Sequence, residues 1–102
     1  MQKECYKKVE IADDCNMELT YYLLTDSVRE EYCDLKVYGA EIQKNCPLDG
    51  ETENKAIKNL FFRRSEAENF LEKLARNRVT PMGLISAVSE HIGEQLQLLS
   101  CE

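Results

Sequence analysis

Ser65-Glu66-Ala67-Glu68-Asn69-Phe70-Leu71-Glu72-Lys73-Leu74-Ala75-Arg76-Asn77-Arg78-Val79-Thr80-Pro81 decides the fold of this chain. Ala67, Phe70, Leu71 and Leu74 recur at i, i+3, i+4 and i+7, which gives a helix one apolar face. Ser65, with Glu68 three residues on, has the spacing of a capping box. Glu72 and Arg76 stand four apart with the acid first, the favourable order on a helix surface. Asn77 is expected to take the left-handed conformation that closes the helix. Thr80 then reads as the N-cap of a second helix and Pro81 as its first residue. Val79 and Leu84 occupy the two positions of a hydrophobic staple. Leu84, Ile85, Val88, Ile92, Leu96 and Leu99 carry the apolar face onward, which predicts that the helix continues through Gly93. An elbow this short joins two helices packed antiparallel or at an angle.

Upstream of this pair the period changes to strands. Met17–Thr25 is rich in Tyr, Thr and Leu. Leu19, Tyr21 and Leu23 point one way, Thr20, Tyr22 and Leu24 the other. Asp26 to Glu31 reads as the hairpin connection to a strand over Tyr32–Lys44. That strand changes phase: Cys33, Leu35 and Val37 have one parity, Ala40 and Ile42 the opposite. A β-bulge at Tyr38-Gly39 would turn both groups to one core, with Cys33 as a small core residue. Asn45 to Glu51 is rich in turn residues, and Glu53–Phe62 reads as the last strand. Residues 4–11 suggest a short edge strand, with Cys5, Val9 and Ile11 on one face and Lys7 guarding the edge. Strands first and helices last imply an α+β fold. The expectation is an antiparallel meander of three to four strands, followed by two C-terminal helices packed on one face. One small domain spans 1–102: 1–16 weakly ordered or an edge strand, 17–62 the sheet, 65–99 the helical hairpin.

With 102 residues, 43% of them hydrophobic, the chain can bury a core. No apolar run approaches the ~20 residues of a membrane span. Residues 1–5 lack the apolar region of a secretory signal, so the expected address is the cytoplasm. The five cysteines at 5, 15, 33, 46 and 101 are odd in number and never spaced Cys-x-x-Cys, which points to free thiols. The formal charge is −6. Between Lys55 and Arg78, seven basic residues stand against Glu66, Glu68 and Glu72, a local +4 within a remainder of −10. Net acidity argues against nucleic acid or anionic membrane as the main partner.

Tyr38-Gly39-Ala40-Glu41-Ile42 and Asn77-Arg78-Val79-Thr80-Pro81-Met82-Gly83-Leu84 carry a family resemblance. Over about residues 17 to 95 the chain resembles a group of roughly hundred-residue bacterial proteins, mainly clostridial, catalogued as domain of unknown function 6514. Their pattern runs Tyr-Gly-Ile-Glu-Ile in the middle and Asn-x-Val-Ser-Pro-x-x-Leu near the end. Here Ala40 replaces the Ile and Thr80 the Ser. Gly83 stands where members often carry His. The resemblance implies no activity.

The chemistry-bearing residues are sparse. His91 is the single histidine and has no acid or thiol at ligand spacing on its helix. Cys101 lies ten residues beyond it, about 15 Å along a helix, too far for a thiol–imidazole pair. Asp13-Asp14 and Glu30-Glu31 fall in predicted turns, as solvated corners. Neither G-x-G-x-x-G nor a P-loop is present. The elbow mimics a helix-turn-helix, yet residues 79–102 hold no Lys or Arg, so specific DNA binding is not expected. No catalytic residue, cofactor or metal site is expected.

Two functional readings follow. The first is a small cytoplasmic protein-interaction or regulatory module without catalysis, forming a homodimer or meeting another protein. Its self-association surface is expected at Tyr22, Leu24, Leu60 and Phe62, because the strands are apolar on both faces and two helices cover only one, or at an apolar flank of the second helix; the N-terminal segment is the alternative cover for the open sheet face. The second is a binder of an acidic small molecule or nucleic acid through segment 55–78, with Arg63, Arg64, Lys73, Arg76 and Arg78 as the contacts.

Overall fold

The computed structural model describes residues 2–11, 17–29, 33–46 and 50–100, with side chains as far as residue 93. Strands β1 (Gln2–Ile11), β2 (Met17–Arg29), β3 (Asp34–Cys46) and β4 (Glu51–Phe61) form one antiparallel sheet in the order β1-β2-β3-β4. Helix α1 (Arg64–Arg76), a 3-10 turn (Pro81–Gly83) and helix α2 (Leu84–Ser100) follow. The fold is the expected meander with two C-terminal helices, an α+β arrangement. The turn expected at Asp13–Asn16 lies outside the described residues.

Alternation in β2 builds the core. Leu19, Tyr21 and Leu23 share a face with Ala40 and Ile42 of β3, and α1 lays Ala67, Phe70, Leu71 and Leu74 on it. Leu84, at the start of α2, is also wholly buried there. Burying a Leu or Phe side chain is worth about 1.5–3 kcal/mol, so α1 is held by its stripe rather than by helix propensity.

Two bulges set the outer strands. In β1, Cys5 pairs with Tyr22 and Lys7 with Tyr21, which leaves Tyr6 as the extra residue. Cys5 therefore faces away from Val9 and Ile11, contrary to the simple alternation, whereas Lys7 keeps the parity that places it on their face. In β4, Lys58, Asn59 and Leu60 stand between the Ile57–Ala40 and Phe61–Tyr38 pairs, opposite Gly39 alone. Asn59 takes φ 58 there. The bulge belongs to β4 and not to Tyr38-Gly39, since the β2–β3 register runs unbroken from Glu18↔Asn45 to Arg29↔Asp34. The phase change in β3 is consequently real: Leu35 and Val37 lie on the face opposite Ala40 and Ile42. Gly39 is needed for close approach. A Cβ there would lie on the Ile57 carbonyl oxygen and 2.9 Å from the Lys58 Cα. The β2–β3 hairpin is longer than its composition suggests, with Ser27, Val28 and Arg29 still paired. Cys33 falls outside the strand and is exposed rather than in the core.

The helix ends differ from their sequence signals. Arg63 occupies the N-cap of α1 and no side chain caps it. Ser65 sits inside the first turn. Glu68 accepts instead from Arg64 Nε at 2.8 Å, a charged donor and a stronger partner than an amide. At the other end the Val79 amide donates to Leu74 O at 3.0 Å and the Arg78 amide to Ala75 O at 3.2 Å. These two bonds form a Schellman motif whose left-handed residue is Arg78, φ 52, one place later than Asn77, φ −90. Thr80 does hold an N-cap position, but its side chain makes no cap bond. The Gly83 amide reaches Thr80 O at 2.9 Å, so the turn at Pro81 is tighter than an α-helix. From Leu84 the helix runs across Gly93 to Ser100, as its period predicts.

Tyr21 ties the sheet to this elbow. The side chain is wholly buried, and its hydroxyl donates to Val79 O at 2.9 Å. Burial pushes the phenol up to about 12. Among the described residues no helix is long and apolar enough to cross a membrane.

Candidate interaction surface

The face of the sheet away from α1 is not a bare apolar plane. Lys3 forms an ion pair with Glu41 across β2, and its ammonium stands 4.2 Å over the Tyr22 ring. The Glu41 carboxylate holds the Lys3 ammonium above the usual lysine range. The Tyr22 hydroxyl donates to Gln43 Oε1 at 3.1 Å. Leu24 is buried, with Lys3 and Gly39 as its cross-strand neighbours. Leu60 is half-buried and packs on the main core. Of the four residues expected to mediate self-association, Tyr22, Leu24 and Leu60 are thus engaged within the chain. Phe62 is open, 74% exposed.

The five candidate cations do not form one patch. Arg63 and Arg64 lie at the start of α1, whereas Lys73, Arg76 and Arg78 lie at its end, roughly 18 Å away by the helical rise. Arg64 is held between Glu4, at 2.7 Å, and Glu68. Those two carboxylates raise its affinity for its proton further. Lys3, Lys36, Tyr38 and Arg64 border an open cleft of about 540 Å³, yet carboxylates already neutralise two of its three cations. On α1, Glu72 is taken up by β1 rather than by Arg76: it accepts from the Tyr6 hydroxyl at 3.2 Å and pairs with Lys7 at 3.5 Å. Burial first, and Glu72 second, raise the Tyr6 phenol.

His91 has an aromatic setting. Its ring lies 5.2 Å from Phe70 and 5.6 Å from Phe61, the latter edge-on, and Nδ1 is buried without a hydrogen-bond partner. It serves as a packing residue that joins α2 to β4 and α1. Among the described residues no three His, Cys, Asp or Glu side chains gather as metal ligands. Cys5 and Cys33 are exposed thiols, and Cys46 is buried.

Helix α2 carries the open surface. Leu84, Ala87, Val88 and His91 face the core. On the neighbouring line of the helix, Ile85 is 53% and Ile92 50% exposed, and Met82 in the preceding turn is 85% exposed. The apolar arc of α2 is therefore wider than the part the core covers.

A family model described as "Family of unknown function (DUF6514)" matches residues 1–94. The chain belongs to this family. No curated protein and no solved structure matches it. The DUF6514 span takes in the whole sheet, α1, the elbow, and Met82, Ile85 and Ile92. Its two motifs have structural roles in this chain: Gly39 admits the β4 backbone, and Asn77–Thr80 forms the Schellman turn that Tyr21 grips. The sequence puts Ile85 and Ile92 on the apolar face of the second helix and allows a flank of that helix to be a contact surface, but period alone does not say which residues of the arc stay exposed. The roughly 100° from Leu84 round to Ile85 is an ordinary width for a core-facing stripe, so the exposed edge had no signal of its own.

Proposed function

We propose that this DUF6514 protein is a non-catalytic protein-interaction module of the cytoplasm that binds through the outer flank of α2. The observation that carries this is the exposure of Met82, Ile85 and Ile92 on one flank. Together they offer roughly 350 Å² of apolar surface, within the range of the largest patch on a typical monomer, which is often functional. The odd, unspaced set of five cysteines fits a reducing compartment. The split of the basic segment between the two ends of α1, with Arg64 already paired, weighs against the acidic-ligand alternative.

A photo-crosslinking amino acid placed at position 85 tests this in the native cell, with the exposed position 90 across the helix as control. Crosslinked protein adducts are expected from 85 and not from 90. Absence of adducts at 85, or equal adducts at both, overturns the proposal.

A further inference from the structure

We propose that the occupant of this flank is a second copy of the same chain, the two α2 helices crossing antiparallel beside Ser89. This rests on the contact surface proposed above. Ile85 and Ile92 are seven residues apart, so they lie on one line of the helix, about 10 Å apart along its axis. Both are half exposed. A twofold axis through their midpoint sets Ile85 of one copy against Ile92 of the other and repeats that contact on its far side. The patch is thus self-complementary, which an isologous interface requires.

The residues around this line favour the same pairing. Ser89, exposed and small, stands at the crossing, where it lets two helix axes approach to about 8–10 Å. Ser86, Ser89 and Gly93 make the solvent-side border, so a charged foreign partner finds no complementary charge there. Glu90 falls about 140° round the helix from Ile85, at 100° per residue, so like charges do not meet across the axis. With its polar border each copy offers roughly 500 Å², and the pair about 1,000 Å², the lower edge of specific interfaces. An interface of this size belongs with the weak, transient ones, so the dimer is expected to be reversible.

Sedimentation equilibrium of the full chain, from micromolar to hundreds of micromolar, decides the matter. The expected weight-average mass rises from 11.8 kDa towards twice that value. Ser89→Glu, which places two carboxylates at the crossing, should raise the dissociation constant at least tenfold. Ile92→Ser should do the same, with the circular dichroism of both variants unchanged. Phe62→Ser should leave the association intact. A wild-type chain that remains monomeric overturns the second copy. A dimer indifferent to Ser89→Glu and Ile92→Ser also overturns it, since it would use another face. Adducts from position 85 with a foreign protein, beside a monomeric pure chain, would overturn this pairing while the flank itself stood as a contact surface.

Discussion

Tyr21→Phe should destabilise the fold by about 1–2 kcal/mol, although it removes one oxygen. The ring stays in its wholly buried place, so no cavity forms. What is lost is the 2.9 Å bond to Val79 O. A carbonyl stripped of its partner loses about 1–3 kcal/mol when sealed from water, and Val79 is only half-buried, which sets the lower half of that range. With a urea slope of about 1–3 kcal/mol per molar, the midpoint should fall by roughly 0.5–1 M. Tyr22→Phe is the control: its hydroxyl bonds Gln43 on a partly open face, so its midpoint should barely move. Alkaline pH gives a second readout. The folded phenol of Tyr21 titrates at about 12, above its unfolded value near 10. The unfolded chain thus releases this proton first, and the stabilisation, complete below pH 10, is lost as pH rises to 12. The gap between wild type and Tyr21→Phe should therefore close over that window. Coincident urea midpoints at pH 7, or a gap constant from pH 10 to 12, would refute the idea that Tyr21 pins the elbow.

Four further substitutions probe the local geometry. Gly39→Ala should lower the thermal midpoint sharply, at a cost of about 2–3 kcal/mol, because the β4 backbone fills the space of the new methyl group; an unchanged midpoint would contradict the β4 bulge. Arg78→Gly should raise stability by roughly 0.5–1 kcal/mol in urea titration, since the left-handed conformation strains every residue but glycine. Thr80→Ala and Ser65→Ala should each stay within about 0.5 kcal/mol of wild type, because neither side chain caps its helix.

The fold class was legible because period is a global signal. Phe70, Leu71 and Leu74 can share a face only in a helix, and Leu19, Tyr21 and Leu23 only in a strand. Local competition was not legible. Ser65 has capping-box spacing, but Arg64 reaches Glu68 first, and that outcome depends on Glu4 arriving from β1, some sixty residues away in sequence. The bulge was inferred from the right glycine and assigned to the wrong strand. Parity in β3 shows that something happens at Gly39; only the β4 register shows which strand yields. The contact surface was the least visible part. Tyr22 and Leu24 look exposed in a flat sheet, yet Lys3 covers the Tyr22 ring and Leu24 is buried, while Ile85 and Ile92 follow the core period and still stand in solvent.

The isoleucine δ-methyl NMR spectrum, followed as protein concentration rises, tests the contact surface most directly. The chain has five isoleucines, at 11, 42, 57, 85 and 92. Ile42 is wholly buried, and Ile11 and Ile57 pack against the core. The methyl signals of Ile85 and Ile92 should shift together along one binding curve while those of Ile11, Ile42 and Ile57 hold still. Signals of Ile85 and Ile92 that never move would contradict the pairing of two chains through the α2 flank, and movement confined to Ile11 and Ile57 would place that pairing on another face.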